Sequence, residues 1–447
     1  MLSYYLAALF GVGYALQTVL RPEVPLMSDF TTFRSSNSSA RSVRIRQQDQ
    51  SICATDSAQC TGWLDNGPKY LLLWYFESQN DPVGDLLMVW MTGGLGDSSM
   101  LGLFQAIGPC LIDEYGNRTV QNPWAWLRNL SLPFFDQQVE VGFSYLDKGH
   151  EVPHNSQKAA TDMHRFLHIF VSEVFLYKRL SPFYLEGESC GMDCSSGKYI
   201  SYLGATIVTQ NGGYPSEPQI DYELCLRGNG YMPSMDTFYG YWETFCATKP
   251  SVTTSVFNGT RCDIMAAAGS VCCEGIIRRY KNESGEGGRS CFDDMTACEA
   301  DEPCYKKAGY IQKYLNSSAV WNALSSSDEV KQYELESSAV ISSSEAVAIL
   351  LSHEVHFLVY QWNLDLACNT ARTLFVSAPL LSWKSTVVDH NDKVGMTKEV
   401  GSENRQRGRE AETASPFTFV KVDGGPFDRP DVTFDRQTWL IAGAPFY

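Results

Sequence analysis

With 447 residues, 44% of them hydrophobic, the chain can bury a sizeable core. Its length suits one large α/β domain with an insertion, and global disorder is excluded. The 51 acidic against 35 basic residues leave a net charge of −16, which argues against nucleic-acid binding, since that needs a basic footprint.

From the N-terminus, Met1-Leu2-Ser3-Tyr4-Tyr5 opens an apolar run to about Leu16. The run is short for a membrane span, and residues 1–17 read as a signal peptide without a basic leader; a buried N-terminal segment is the alternative. No later stretch reaches ~18 uncharged apolar residues, so no membrane span is expected. Residues 18–50 read as a propeptide-like leader, and their Ser- and Arg-rich part, 34–46, as mobile. The first part of an α/β core then occupies 51–214. It opens with buried strands over Tyr70–Phe76 and Leu86–Thr92, joined by a turn at Asn80-Asp81-Pro82, and a short strand over Leu132–Phe135. Residues 157–178 place Phe166, Ile169, Phe170 and Val174 at helical spacing.

Next comes the most telling stretch. The apolar run Phe183-Tyr184-Leu185 leads into Gly187-Glu188-Ser189-Cys190-Gly191, followed by a helix to about Thr209. A strand that stops at G-x-S-x-G and turns into a helix is a nucleophile elbow. The turn tolerates only small residues beside the Ser, and it leaves the hydroxyl exposed above the sheet. Alternating apolar strands and helices imply a mostly parallel sheet covered on both faces.

Residues 215–310 break this rhythm and read as an inserted cap. They hold Cys225, Cys246, Cys262, Cys272, Cys273, Cys291, Cys298 and Cys304 of the chain's 14 cysteines, a density that in an exported chain means disulfides. Zinc is the weaker reading, because clear C-x-x-C pairs are lacking, and no metal or cofactor is expected. Six N-x-[ST] sequons, at Asn37, Asn117, Asn129, Asn258, Asn282 and Asn316, agree with export and N-linked glycans. The core resumes over 311–447, with strands at His356–Trp362 and Phe417–Val422, a helix after Asn369, and a charged solvated loop over 397–413.

Several motifs stand in a shared order: Trp90-Met91-Thr92-Gly93-Gly94-Leu95-Gly96-Asp97-Ser98-Ser99, Asn122-Pro123-Trp124-Ala125-Trp126, Asp136-Gln137 leading to Val141-Gly142-Phe143-Ser144-Tyr145, Gly187-Glu188-Ser189, and Asp365-Leu366-Ala367-Cys368-Asn369. Together they resemble the serine carboxypeptidases, α/β hydrolases that remove C-terminal residues from peptides at acidic pH. The resemblance implies Ser189 as nucleophile and Asp365 as the triad acid, in the chain order Ser, Asp, His. It implies backbone N–H groups of Gly94 and Cys190 as oxyanion donors, and Thr92, Gly93 and Glu188 at the positions that hold the substrate's terminal carboxylate. A peptide or protein C-terminus would be the partner, in the secretory pathway, a vacuole or the extracellular space.

The chain also departs from the family. Where relatives write G-G-H-M-V-P-x-D-x-P, it reads Gly424-Gly425-Pro426-Phe427-Asp428-Arg429-Pro430, and no His follows His390. Ala106 stands where the family has a carboxylate-binding Glu. Leu95 and Asp97 alter the Gly loop, and Gln138 and Glu140 replace Pro and Gly. Met192-Asp193-Cys194-Ser195-Ser196 lengthens the turn after Ser189. Losing a triad histidine costs roughly 10⁶ in kcat, about 8 kcal/mol of barrier. Two main readings stay open: a carboxypeptidase of weak or no activity, and a non-catalytic relative that binds peptides or proteins. An acyltransferase would need the same histidine.

Overall fold

The structure, a computed structural model, describes residues 30–34, 41–93, 97–153, 156–188, 196–211, 222–228, 260, 306–324, 344–362, 385–389 and 417–422. Its strands are β1 (Thr31–Arg34), β2 (Arg41–Gln48), β3 (Gln59–Asn66), β4 (Lys69–Phe76), β5 (Leu86–Thr92), β6 (Cys110–Ile112), β7 (Thr119–Gln121), β8 (Leu130–Phe135), β9 (Tyr145–Leu146), β10 (Phe183–Glu188), β11 (Tyr222–Gly228), β12 (His356–Trp362), β13 (Ser385–Asp389) and β14 (Phe417–Val422). Its α-helices are α1 (Met100–Gln105), α2 (Ser156–Ile169), α3 (Ser196–Asn211), α4 (Lys306–Leu315), α5 (Ser318–Leu324) and α6 (Ser344–Ser352).

Among the described residues, 12 strands form one sheet in the order β1-β2-β3-β4-β8-β5-β10-β11-β12-β14-β13, with β9 beside β4. From β8 to β13 every neighbour is parallel. The first four strands form an antiparallel wing joined to β8. Period-two burial explains why β4 and β5 are continuous apolar runs. Leu71, Leu73 and Tyr75, with Leu87, Val89 and Met91, pack on the face covered by α2, α3 and α6. Leu72, Trp74 and Phe76, with Leu86, Met88 and Trp90, pack on the other face under α1, α4 and α5.

The predicted helix over 157–178 ends early. α2 stops at Ile169 and a wide π turn spans Phe170–Val174, followed by a 3₁₀ turn over Leu176–Lys178. The reason is aromatic packing. The bond from Phe175 N–H to Phe170 O (2.8 Å) puts both rings on Tyr75, with centroids 5.4 and 4.4 Å away.

Two expectations need correction. The Ser- and Arg-rich stretch read as mobile contains β2, which pairs with β3 along its whole length. Its residues alternate: Val43 is buried, while Arg44 forms a salt bridge with Asp65 (2.8 Å) and lies over the Trp63 and Tyr70 rings. The stretch assigned to the cap from residue 215 contains β11, a central parallel strand between β10 and β12. Cys225 therefore belongs to the sheet, and the other seven cysteines of that cluster lie outside the described residues. No helix of the described residues is long and apolar enough to cross a membrane.

Candidate active site

In a parallel sheet the carboxyl ends of the strands open toward the crevice where ligands bind. β5 and β10 are direct neighbours there, and their last residues, Thr92 and Glu188, are register partners. Gly93 follows one and Ser189 the other. α3 then packs against the sheet with Tyr199, Ile200, Leu203 and Ile207 buried, so the G-x-S-x-G motif is preceded by a strand and followed by a helix. On the far side of β11, β12 and β14 also end level, with Trp362 opposite Val422. Asp365 comes three residues after the first, and Gly424-Gly425 directly after Asp423 beyond the second. Ser189, Cys190, Gly94 and Asp365 themselves lie outside the described residues.

The loop after β5 is tied at both ends. Thr92 N–H donates to Ser99 Oγ (3.2 Å), Asp97 N–H to Gly93 O (2.9 Å), and Met100 N–H to Ser98 Oγ (3.1 Å). Thr92 Oγ1 accepts from Trp90 Nε1 (3.1 Å). The Trp90 ring stacks edge-on against Trp126, with centroids 6.1 Å apart. Gly102 makes room for it, since a Cβ there would lie 2.0 Å from Trp90 Nε1. Ala106, at the end of α1, packs on the apolar core, so its position supplies no carboxyl group. Asn122 clamps the chain beyond: its Nδ2 donates to Ala106 O (3.0 Å) and Gly108 O (2.8 Å).

Beyond β8, Asp136 is fully buried, and among the described residues no salt bridge reaches it. Burial pushes its carboxyl up to about 6, against hydrogen bonds from Ser98 Oγ and from the Phe143 amide. Glu140, where the family has Gly, adopts φ +69, the left-handed region that favours glycine. Its Oε1 accepts from Leu146 N–H (3.0 Å), so the charge noted in the sequence caps local backbone.

The histidines are accounted for as follows. His356 opens β12, at the opposite end of that strand from the site, and His353 is exposed and bonds Ile349 O (2.9 Å). His164 and His168 are buried on α2 with their Nε2 atoms 3.0 Å apart, and burial lowers His164 to about 4. His150 is exposed in the turn after β9, and His154 and His390 lie outside the described residues.

Two features escaped the sequence reading. One is the Cys53–Cys110 disulfide, which joins the segment before β3 to the first residue of β6. Cysteine count alone carries no connectivity. The other is the burial of Asp136: the sequence placed Asp136-Gln137 in a shared motif and attached no role to it.

A mostly parallel sheet between helical layers, with G-x-S-x-G in sequence between the central strand β10 and the helix α3, defines an α/β hydrolase. Among solved structures the fold matches a prohormone-processing carboxypeptidase from Saccharomyces cerevisiae, Kex1Δp, with a TM-score of 0.60 at 16% identity, over 92% of this chain and 93% of that one. The family model for serine carboxypeptidases matches residues 50–443, and the chain belongs to that family. It is 28% identical over 459 residues to the vacuolar serine-type carboxypeptidase ATG42 of Saccharomyces cerevisiae, covering 93% of this chain and 85% of that protein. It is also 28% identical over 452 residues to carboxypeptidase Y of Candida albicans, covering 90% and 76% respectively.

Proposed function

We propose that the protein performs the serine carboxypeptidase reaction on peptide C-termini, slowly, with Ser189 as nucleophile. The supporting observation is the level, in-register ending of β5 and β10 at Thr92 and Glu188, directly before Gly93-Gly94 and Ser189. In this reading Ser189 Oγ attacks the scissile carbonyl, and the N–H groups of Gly94 and Cys190 stabilise the oxyanion. The C–N bond breaks, the C-terminal residue leaves with its amine protonated, and water hydrolyses the acyl-Ser189 ester. Thr92, Gly93 and Glu188 hold the terminal carboxylate, and Asp365 holds the triad-acid position.

With no histidine after β14, water takes the Ser189 proton, and oxyanion stabilisation and binding provide what acceleration remains. The missing histidine is equally what a peptide-binding relative without turnover would carry. The vacuolar relative supports a place in the secretory pathway or a vacuole, and the sequons support N-linked glycans.

The test is release of the C-terminal residue from an N-blocked dipeptide, read by mass spectrometry, for the wild type, Ser189→Ala and a variant with His-Met-Val inserted between Gly425 and Pro426. The reading expects a slow release abolished in Ser189→Ala and raised by orders of magnitude in the insertion variant. Release that survives Ser189→Ala overturns it. No release from any of the three assigns the protein to the binding class.

A further inference from the structure

We propose that Asp136 is a positioning residue: its buried carboxylate anchors the loop that carries Gly94, and so sets the oxyanion donor's geometry. The inference rests on the reading of Gly94 as that donor, and it begins from how completely the surrounding chain is built around one side chain.

Ser98 Oγ donates to Asp136 Oδ1, and Phe143 N–H donates to Oδ2 (3.0 Å). Ser144 Oγ donates to the Asp136 carbonyl (2.6 Å) and accepts from Leu72 N–H (2.8 Å), fixing the residue's backbone to β4. Gly142 stands at φ +53, and a Cβ there would lie 2.2 Å from Asp136 Oδ2. Gly142, Phe143 and Ser144 thus wrap the carboxylate, each in a role that only its residue type or its backbone fills.

The other side of the anchor is the Gly loop. Ser98 is held by Asp136, and its neighbour Ser99 accepts at Oγ from Thr92 N–H (3.2 Å). The two ends of the segment carrying Gly94 are therefore closed on each other and pinned to β8's exit through one carboxylate. A buried carboxylate with no salt bridge among the described residues is costly, and burial holds it up to about 6 even with these donors. An apolar residue would fill the same space in the core at lower cost, so the group's retention goes with what it holds.

The experiment uses the full chain as wild type, Asp136→Asn and Ser98→Ala, with two readouts. Amide exchange is followed by mass spectrometry in peptides covering 92–101 and, as control, 130–135. The rate of Ser189 labelling by a fluorophosphonate is measured alongside binding of an N-blocked dipeptide. The anchor role expects exchange in 92–101 to rise about ten- to a hundredfold, the size of one lost charge-assisted hydrogen bond. Exchange in 130–135 stays unchanged, and labelling falls by a similar factor, with dipeptide affinity weakened as well because Thr92 and Gly93 lie in the loosened segment. Ser98→Ala removes the link without touching the buried carboxylate, and it decides the matter if Asp136→Asn does not fold. Wild-type exchange in 92–101 for Ser98→Ala overturns the anchor, as does unchanged labelling in a variant whose exchange has risen. If the wild type itself is not labelled, the nucleophile reading fails separately, and the exchange result still decides whether Asp136 holds the loop.

Discussion

Replacing Gly102 with Ala should destabilise the protein although the residue is helical. Helix propensity alone favours Ala over Gly by about 1 kcal/mol. Here the added Cβ would lie 2.0 Å from Trp90 Nε1 and 2.6 Å from its Cε2, far inside contact distance. Trp90 cannot swing away, because it is buried between β5 and Trp126. Overpacking of this kind costs roughly 1–3 kcal/mol. Displacing the indole also breaks its bond to Thr92 Oγ1, adding about 1 kcal/mol. Set against the propensity gain, the net expectation is a loss of roughly 1–3 kcal/mol. Urea unfolding at neutral pH would show it as a lowered midpoint at unchanged slope. A variant as stable as the wild type, or more stable, would refute the packing argument and with it the claim that Trp90 fixes Thr92.

Two further perturbations test the core. Cys53 and Cys110 are 57 residues apart, so replacing both with Ala should cost up to about 4 kcal/mol by loop-closure entropy, again read by urea unfolding. For His164 the folded value, about 4, lies below the ordinary 6.5, so the unfolded chain binds the proton first as pH falls. This group alone therefore removes on the order of 3 kcal/mol of stability between about pH 6.5 and 4. His164→Leu should gain that much stability relative to the wild type as pH falls through this range, and a difference that stays constant with pH would contradict the burial argument.

Asp136 acts in the opposite sense. Its folded value, about 6, lies above the ordinary 3.8, so its contribution is fully present at low pH and is lost as pH rises through about 6. Over the mildly acidic range the two groups offset each other.

The central sheet was legible where apolar, aromatic and β-branched residues dominate a short run. Leu86–Thr92, His356–Trp362 and Phe417–Val422 are strands with the bounds read from the chain. β2 was missed because its exposed positions are Arg and Ser, and composition hid the alternation of Val43 and Ile45 with Arg44 and Arg46. β11 was missed because it lies in a cysteine-rich stretch and its place is set by pairing with β10 and β12, which local pattern does not encode. The break in α2 followed from long-range packing of Phe170 and Phe175 on Tyr75. At the site, the motifs located Thr92, Gly93 and Glu188 at the level ends of adjacent strands. Asp136 was visible only as part of a motif, since its side-chain partners come from residues 98 and 143, and only the fold brings them together.

The most direct test of the account is fluorophosphonate labelling of the purified protein beside Ser189→Ala, from about pH 4 to 8, the range over which a histidine base would titrate. The account predicts slow labelling of the wild type, absent in Ser189→Ala and without the inflection of a histidine base. Labelling that persists in Ser189→Ala, or none at any pH in the wild type, would contradict the assignment of Ser189 as the nucleophile.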